Sequence, residues 1–397
     1  MNKFILPNLI FDVGIYKKRD NRFPLRSPFI LYYDAVEDLI IQKINDKVRR
    51  ALKIYYSLGG YTSTPLGEGE YAKKQGDDIF KVIKRSLLEE KKLILKMSFL
   101  EIGAGYGYLL YLLKKEGAKE ILGLEPGKEG TIGSKKYKIP FVQDFFPSKL
   151  LIKKFDYIFS YAVLEHIENP LFILKEIFKN LNNDGMVFLA VPDCEKKMMI
   201  GDISIISHQH LNYFTENSLR KLMEKAGFKN IKIVESKKRS ALFAWGIKEQ
   251  SPKKISQSQK SHSDKLIFKK FTINFTININ AIQSLIEIFE REGKEIGLYA
   301  PCANLIGLLN FKNRPRIFQR DKFKHSKYIS GCPRVIEAPE RLIKKPVDVL
   351  FIAPIDYDKE IRNYLEEIGL NEKKAKIISM KGIYENNSGI KYKVSSK

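Results

Sequence analysis

Through the middle of the chain, short apolar runs alternate with helix-period segments, and each run stops at an acid or a turn. Phe99–Ile102, Ile121–Leu124, Pro140–Phe145, Phe155–Ser160 and Met186–Pro192 are largely apolar runs with little polar alternation. Strands buried on both faces of a parallel sheet read this way. An amphipathic stretch from Leu171 to Leu181 precedes the last of them, and Asn182-Asn183-Asp184-Gly185 makes the turn between. The series predicts a doubly wound α/β unit over residues 93–248. A second series begins later. It comprises a helix from Ile282 to Glu292, a strand within Lys294–Tyr299, the apolar helix Leu305–Leu309, strands at Arg316–Asp321 and Val347–Ala353, a helix over Tyr357–Ile368 and a last strand at Lys376–Ile378. Residues 281–397 therefore read as a smaller Rossmann-like domain.

The flanks are less regular. Residues 1–92 read as an N-terminal helical and lid region. It has a loop-like opening, a helical pattern from Ala35 to Ile41 onward and another helix from about Asp77 to Leu95. Tyr55–Pro65 is too rich in Gly, Ser and Thr to be helical, and such a segment suits a lid over a ligand site. Residues 249–264 combine Ser, Lys, Gln and His with almost no large apolar side chain, so 249–280 reads as a linker.

The chemistry concentrates at the strand ends. Phe99-Leu100-Glu101-Ile102-Gly103-Ala104-Gly105-Tyr106-Gly107-Tyr108 runs a strand into three glycines spaced two apart. Glycine is needed there because a Cβ would collide where backbone approaches a ligand closely. A dinucleotide fingerprint wants its third glycine where Tyr108 stands, so NAD is disfavoured. Glu125 closes the second strand about 20 residues later, where a sheet of this type places the acid that accepts from ribose hydroxyls. Asp144 and Phe145 end the third strand, and Ser160 and Tyr161 the fourth.

With Glu101 at its entrance, the glycine loop resembles the first motif of the class I S-adenosylmethionine-dependent methyltransferases. The resemblance implies a seven-stranded Rossmann-like methyltransferase sheet with S-adenosylmethionine as cofactor. By it, Glu101 would face the methionine ammonium group, Gly103, Ala104, Gly105 and Gly107 would line the ligand, and Asp144 and Phe145 would lie at the adenine. Tyr161-Ala162-Val163-Leu164-Glu165-His166-Ile167 resembles the segment that follows the fourth strand in many small-molecule methyltransferases. A carboxylate there equally suits the positive end of the next helix.

Taken together, the two halves resemble the C-methyltransferases of nucleotide-linked 4-keto sugars. Tyr299-Ala300, Asp321 and Ser326-Lys327-Tyr328-Ile329-Ser330-Gly331 carry the C-terminal part of that resemblance, and Ala338-Pro339-Glu340 and Ile352-Ala353-Pro354 fit it as well. Methylating a carbon beside a ketone requires removal of an α-proton, hence a base. Ser207-His208-Gln209-His210 resembles the family's Tyr-His-Glu-His segment, which makes His210 the candidate base, with His208, Gln209 and the upstream Tyr61 as further candidates. Gln209 stands where the family has glutamate and cannot accept a proton. Hydroxyl or amine methylation of a glycan or metabolite therefore stays open beside carbon methylation. The family's four-cysteine zinc module has no counterpart, since no cysteine precedes Cys194.

Composition changes the picture little. A net charge of +24 would suit RNA, but the lysines are spread over nearly every segment and no RNA-binding module appears. A small-molecule substrate is expected, with nucleic acid and membrane disfavoured; an RNA methyltransferase and a catalytically silent binding protein are the remaining readings. Cys194, Cys302 and Cys332 are too far apart for a disulfide framework or a metal knuckle. His208 and His210 lack a third ligand at matching spacing, so no metal is expected. Without a long apolar run or a signal-peptide pattern, the expected location is cytoplasmic.

Overall fold

The computed structural model describes residues 3–58, 65–236, 240–249 and 262–392. The N-terminal region opens with a sheet and continues with two helices. β1 (Lys3–Ile10) pairs antiparallel with β3 (Arg26–Asp34), and β3 with β4 (Leu39–Lys43), while β2 (Ile15–Tyr16) pairs elsewhere. The helical reading of Ala35–Ile41 is thereby corrected. The Asp34 carboxylate accepts from the amides of Val36 and Glu37, Asp38 takes a left-handed φ of 52°, and the chain reverses into a hairpin. Helices α1 (Asp46–Ser57) and α2 (Gly69–Glu89) follow, the second beginning and ending earlier than its sequence pattern suggests. Residues 59–64, which carry Tyr61 and most of the expected lid, lie outside the described residues.

The central unit is a seven-stranded sheet. In chain order, β5 (Ser98–Ile102), α3 (Tyr108–Lys115), β6 (Glu120–Leu124), α4 (Glu129–Tyr137), β7 (Phe141–Val142), β8 (Phe155–Tyr161), α5 (Pro170–Asn180) and β9 (Leu181–Pro192) alternate strand with helix. After α6 (Glu195–Met199), β10 (Asn212–Tyr213) and α7 (Glu216–Lys225), β11 (Lys229–Glu235) and β12 (Ala241–Ile247) complete the order β11-β12-β9-β8-β5-β6-β7, with β12 antiparallel to both its neighbours. β5, β6, β7, β8 and β9 run parallel, so their carboxyl ends share one edge, and the order reverses at β5. The buried Phe99, Leu100, Ile158, Phe159, Val187 and Phe188 make the sheet's two-sided core. This is the Rossmann-like methyltransferase fold.

The reading of residues 249–280 as a linker is also corrected. Residues 250–261 lie outside the described residues, but α8 (Asp264–Arg291) is a continuous helix whose Ile267, Phe268, Phe271 and Phe275 are buried. The C-terminal unit then adds β13 (Ile296–Tyr299), α9 (Ala303–Leu308), β14 (Arg316–Phe318), β15 (Tyr328–Ile329), β16 (Ile336–Glu337), α10 (Arg341–Lys344), β17 (Val349–Ile352), α11 (Asp358–Glu367), β18 (Lys376–Ser379) and α12 (Met380–Ser388). Five of these strands form a parallel sheet in the order β16-β14-β13-β17-β18. That is the doubly wound order 3-2-1-4-5, five of the six strands of the classical fold.

Two long-range features join the parts. β10 adds as the last strand of the N-terminal sheet, antiparallel to β4, although more than 160 residues separate them. One apolar cluster also unites Phe4, Ile10, Phe29 and Leu31 with Phe271 and Phe275 of α8 and Leu298, Leu305 and Ile317 of the C-terminal unit. The N-terminal sheet thus shares its core with the C-terminal half, and it is not a separate helical region. Among the described residues no helix is long and apolar enough to cross a membrane.

Candidate active site

The glycine loop is held by the acid of the next strand. Gly103, Gly105 and Gly107 all have left-handed φ, at 68°, 53° and 72°. The Gly103 and Ala104 amides donate to the Leu124 carbonyl at 2.8 and 3.2 Å, and the Gly107 amide closes the turn on Ala104 O at 2.7 Å. Glu125 is buried, with one carboxylate oxygen accepting from the Gly105 amide and the other from the Gly127 amide, both at 2.9 Å. Glu101 is buried too. Its Oε2 has no hydrogen-bond partner, and burial together with the charge of Glu125 pushes its carboxyl well above the usual range. A buried acid with an orphan oxygen beside a glycine turn offers acceptors for the N–H and O–H groups of a cationic, hydroxylated ligand.

The other predicted positions gather on the same edge. Asp144 follows β7, and its carboxylate accepts from the Phe145 amide and the Ser148 hydroxyl, which holds it below the usual carboxylate range. Phe145 is exposed, whereas Ser160 is buried at the end of β8. The Tyr161 hydroxyl accepts from Gln75 of α2. That contact ties α2 to the carboxyl edge of the sheet.

Val163 links the loop to the acceptor side. A Cβ on Gly103 would sit 2.4 Å from Val163 Cγ2, so the segment after β8 packs directly against the glycine turn. Ala162 takes a left-handed φ of 54° there, a conformation that costs a non-glycine residue free energy. A single 3-10 turn, Leu164–His166, follows.

The segment 207–210 meets this turn, with its histidines in different roles. His208 is buried between Phe11 and Phe29, with Nε2 3.3 Å from Pro28 O, and burial lowers its basicity. Gln209 is buried and donates from Nε2 to the Asp12 carbonyl at 3.0 Å. Both face the N-terminal sheet as packing and hydrogen-bonding groups, which corrects their reading as catalytic candidates. His210 turns the other way. Its ring lies 5.2 Å from that of His166, and donor atoms of Glu165, His166 and His210 all lie within 4.8 Å of one another.

Glu165 and His166 are thus the groups the sequence reading left aside. Their pairing with His210 spans more than 40 residues and has no local signal. Glu165 is 2% exposed, its Oε2 has no partner, and burial pushes its carboxyl up to about 8. His166 Nδ1 lies 2.8 Å from the Gln209 carbonyl, which can only accept, so Nδ1 carries the proton and Nε2 keeps its lone pair. Nε2 stands 3.9 Å from Glu165 Oε1. Burial, with His166 and Lys197 nearby, pushes His210 down to about 3. Such an imidazole is a weak base, so His210 acting alone does not fit. Tyr56 of α1 packs its ring against His166, and its hydroxyl is buried without a partner.

Comparison with known proteins bears on residues around this edge. Residues 71–233 match a family model described as "Methyltransferase domain". A tRNA U34 carboxymethyltransferase from Campylobacter hominis is 28% identical over 158 residues, 34% of this chain and 52% of that protein. One from Photobacterium profundum is 27% identical over 153 residues, 35% of this chain and 46% of its own. The chain spans about half the length of the curated relatives it matches. Among solved structures, magnesium protoporphyrin IX methyltransferase from Synechocystis PCC 6803 with bound SAH is 14% identical, covering 46% of this chain and 90% of its own at a TM-score of 0.37. Residues 71–233 are a class I S-adenosylmethionine-dependent methyltransferase domain.

Proposed function

We propose that the protein transfers the methyl group of S-adenosylmethionine to a small acceptor seated over Glu165, His166 and His210, and that the acceptor is a nucleotide-linked keto sugar methylated at carbon. The cofactor supplies an activated methyl when bound. Glu101 would receive its ammonium group, Glu125 its ribose, Asp144 and Phe145 its adenine, and Gly103, Ala104, Gly105, Gly107, Ser160 and Tyr161 would line it. The observation that carries this reading is the contact of Val163 with Gly103, which sets the Glu165–His166–His210 cluster beside the cofactor loop. Proton removal from the acceptor then belongs to the cluster, with Glu165 the residue able to change charge near neutrality.

Support for an extended, nucleotide-linked acceptor comes from the C-terminal sheet. A cleft of about 140 Å³ at the carboxyl ends of β13 and β14 is lined by Asp12, Ala300, Cys302, Gln319 and Lys324. Gln209, next to His210, bonds to Asp12. One residue of the chain, Gln209, thus separates the cleft's Asp12 from His210 of the cluster. A hydroxyl or amine acceptor would use the same arrangement.

An RNA substrate is the second reading, favoured by the tRNA-modifying relatives and the net charge of +24. The test is calorimetric titration with S-adenosylmethionine and SAH, repeated with Gly105→Arg, followed by methyl transfer from labelled cofactor to keto-sugar nucleotides and to tRNA. Micromolar cofactor binding lost in the variant, with label on the sugar, supports the reading. Label on tRNA alone transfers it to RNA, and absence of cofactor binding leaves a binding protein.

A further inference from the structure

We propose that Glu165, His166 and His210 form a site for one divalent transition-metal ion of the zinc type. Two imidazoles and one carboxylate, from the turn after β8 and the segment before β10, offer three donor atoms within 4.8 Å of one another. Metal–ligand bonds of about 2.0–2.2 Å need such donors to converge by roughly an ångström, which side-chain rotation supplies. The histidine–carboxylate set suits zinc, iron, nickel or manganese better than magnesium, which prefers oxygen ligands.

Three observations point beyond chance proximity. Glu165 Oε2 is buried with no hydrogen-bond partner, an arrangement that costs free energy unless something fills it. His166 gives its Nδ1 proton to a backbone carbonyl and leaves Nε2 unprotonated on the Glu165 side, which is how ligating histidines are commonly oriented. Among the described residues, the His210 ring makes aromatic contacts with His166 and Tyr213 and no hydrogen bond. His166 and His210 keep partial exposure while Glu165 is buried. Lys197, whose charge acts on His210, is held by Asp356 at 2.7 Å and Asp202 at 4.0 Å.

Three protein ligands leave coordination positions open, and an oxygen of the acceptor would take one of them. A hydroxyl bound in this way would lose its O–H proton more readily, and a bound ketone the C–H proton of its α-carbon, with solvent water taking the proton while the three side chains hold the ion. Only this use of the ion rests on the proposed function; its binding does not.

The test uses the full chain, stripped with EDTA and desalted, and titrated calorimetrically with Zn²⁺ and separately with SAH. One Zn²⁺ per chain is expected, with affinity reduced at least tenfold in His210→Ala and in Glu165→Gln, each retaining its circular dichroism spectrum and SAH affinity. No saturable Zn²⁺ binding by wild-type protein, or equal affinity in folded variants, would overturn the site. If one variant does not fold, the other and the wild-type stoichiometry decide. Loss of SAH binding with Zn²⁺ retained would count against the methyltransferase reading and leave the metal site standing.

Discussion

Glu125 joins the two strands that build the loop, since its carboxylate accepts from both Gly105 and Gly127. Replacing it with alanine leaves two amides without their acceptor, a loss of about 1–3 kcal/mol. Glu125→Ala should weaken SAH binding by at least tenfold in calorimetry. Glu165 governs a different quantity. Its carboxyl is raised from an ordinary 4.5 to about 8, so the folded state holds a proton that the unfolded state releases. The stability this confers is complete below the ordinary value and is lost as pH rises through about 8. Urea unfolding of the metal-free wild type, kept in EDTA, should therefore show stability falling across that window, and Glu165→Gln should flatten part of the fall. These two acids differ in how far a sequence could reveal them. Glu125 is legible because a strand end and a spacing from the glycines place it. Glu165 lies in the turn after a strand, but its proposed role depends on His210, and that encounter is made by tertiary packing alone.

The same division holds among the elements. Strands β5, β6 and β8 follow directly from their apolar runs because burial on both faces leaves no alternation to confuse them. The β3–β4 hairpin was hidden because Ala35–Ile41 happens to repeat apolar residues at helical spacing, while the turn chemistry of Asp34 and Asp38 decides the outcome. Helix α8 was hidden behind the polar stretch that precedes it. Its packing against α6 is tight at Gly201, whose φ is +70° and where a Cβ would lie 2.4 Å from the Phe275 amide nitrogen and 2.5 Å from the Asn274 carbonyl carbon. Neither backbone atom can move without the helix. Gly201→Ala should destabilise the protein by roughly 2–4 kcal/mol, read as a lower urea midpoint.

Over the whole molecule, charge is distributed. Many lysines and arginines are already paired on the surface, as in Lys84–Glu116, Lys196–Glu235 and Arg49–Glu168. Exposed pairs of this kind contribute little to stability, and they dilute any polyanion-binding face. Turnover on a small acceptor should change less than threefold between 50 and 300 mM salt. An RNA substrate would instead lose affinity by orders of magnitude over that range, because each neutralised phosphate releases a counterion. Binding measured at the two salt concentrations separates them. The outline of two α/β units was readable from their strand runs. Their union was not, since the shared apolar cluster draws Phe4 and Phe29 from one end of the chain and Leu298 and Ile317 from the other.

The two-residue strand β10 hydrogen-bonds outside the sheet it follows, completing a sheet that begins at Lys3. The residues that directly follow His210 thereby belong by sequence to the cofactor unit and by backbone to the flanking one. An exchange of the flanking segments with those of a distant homologue would redraw the floor beneath the acceptor while sparing Glu101, Glu125 and the glycines. On the proposed reading, selectivity and methyl supply would be separately heritable traits.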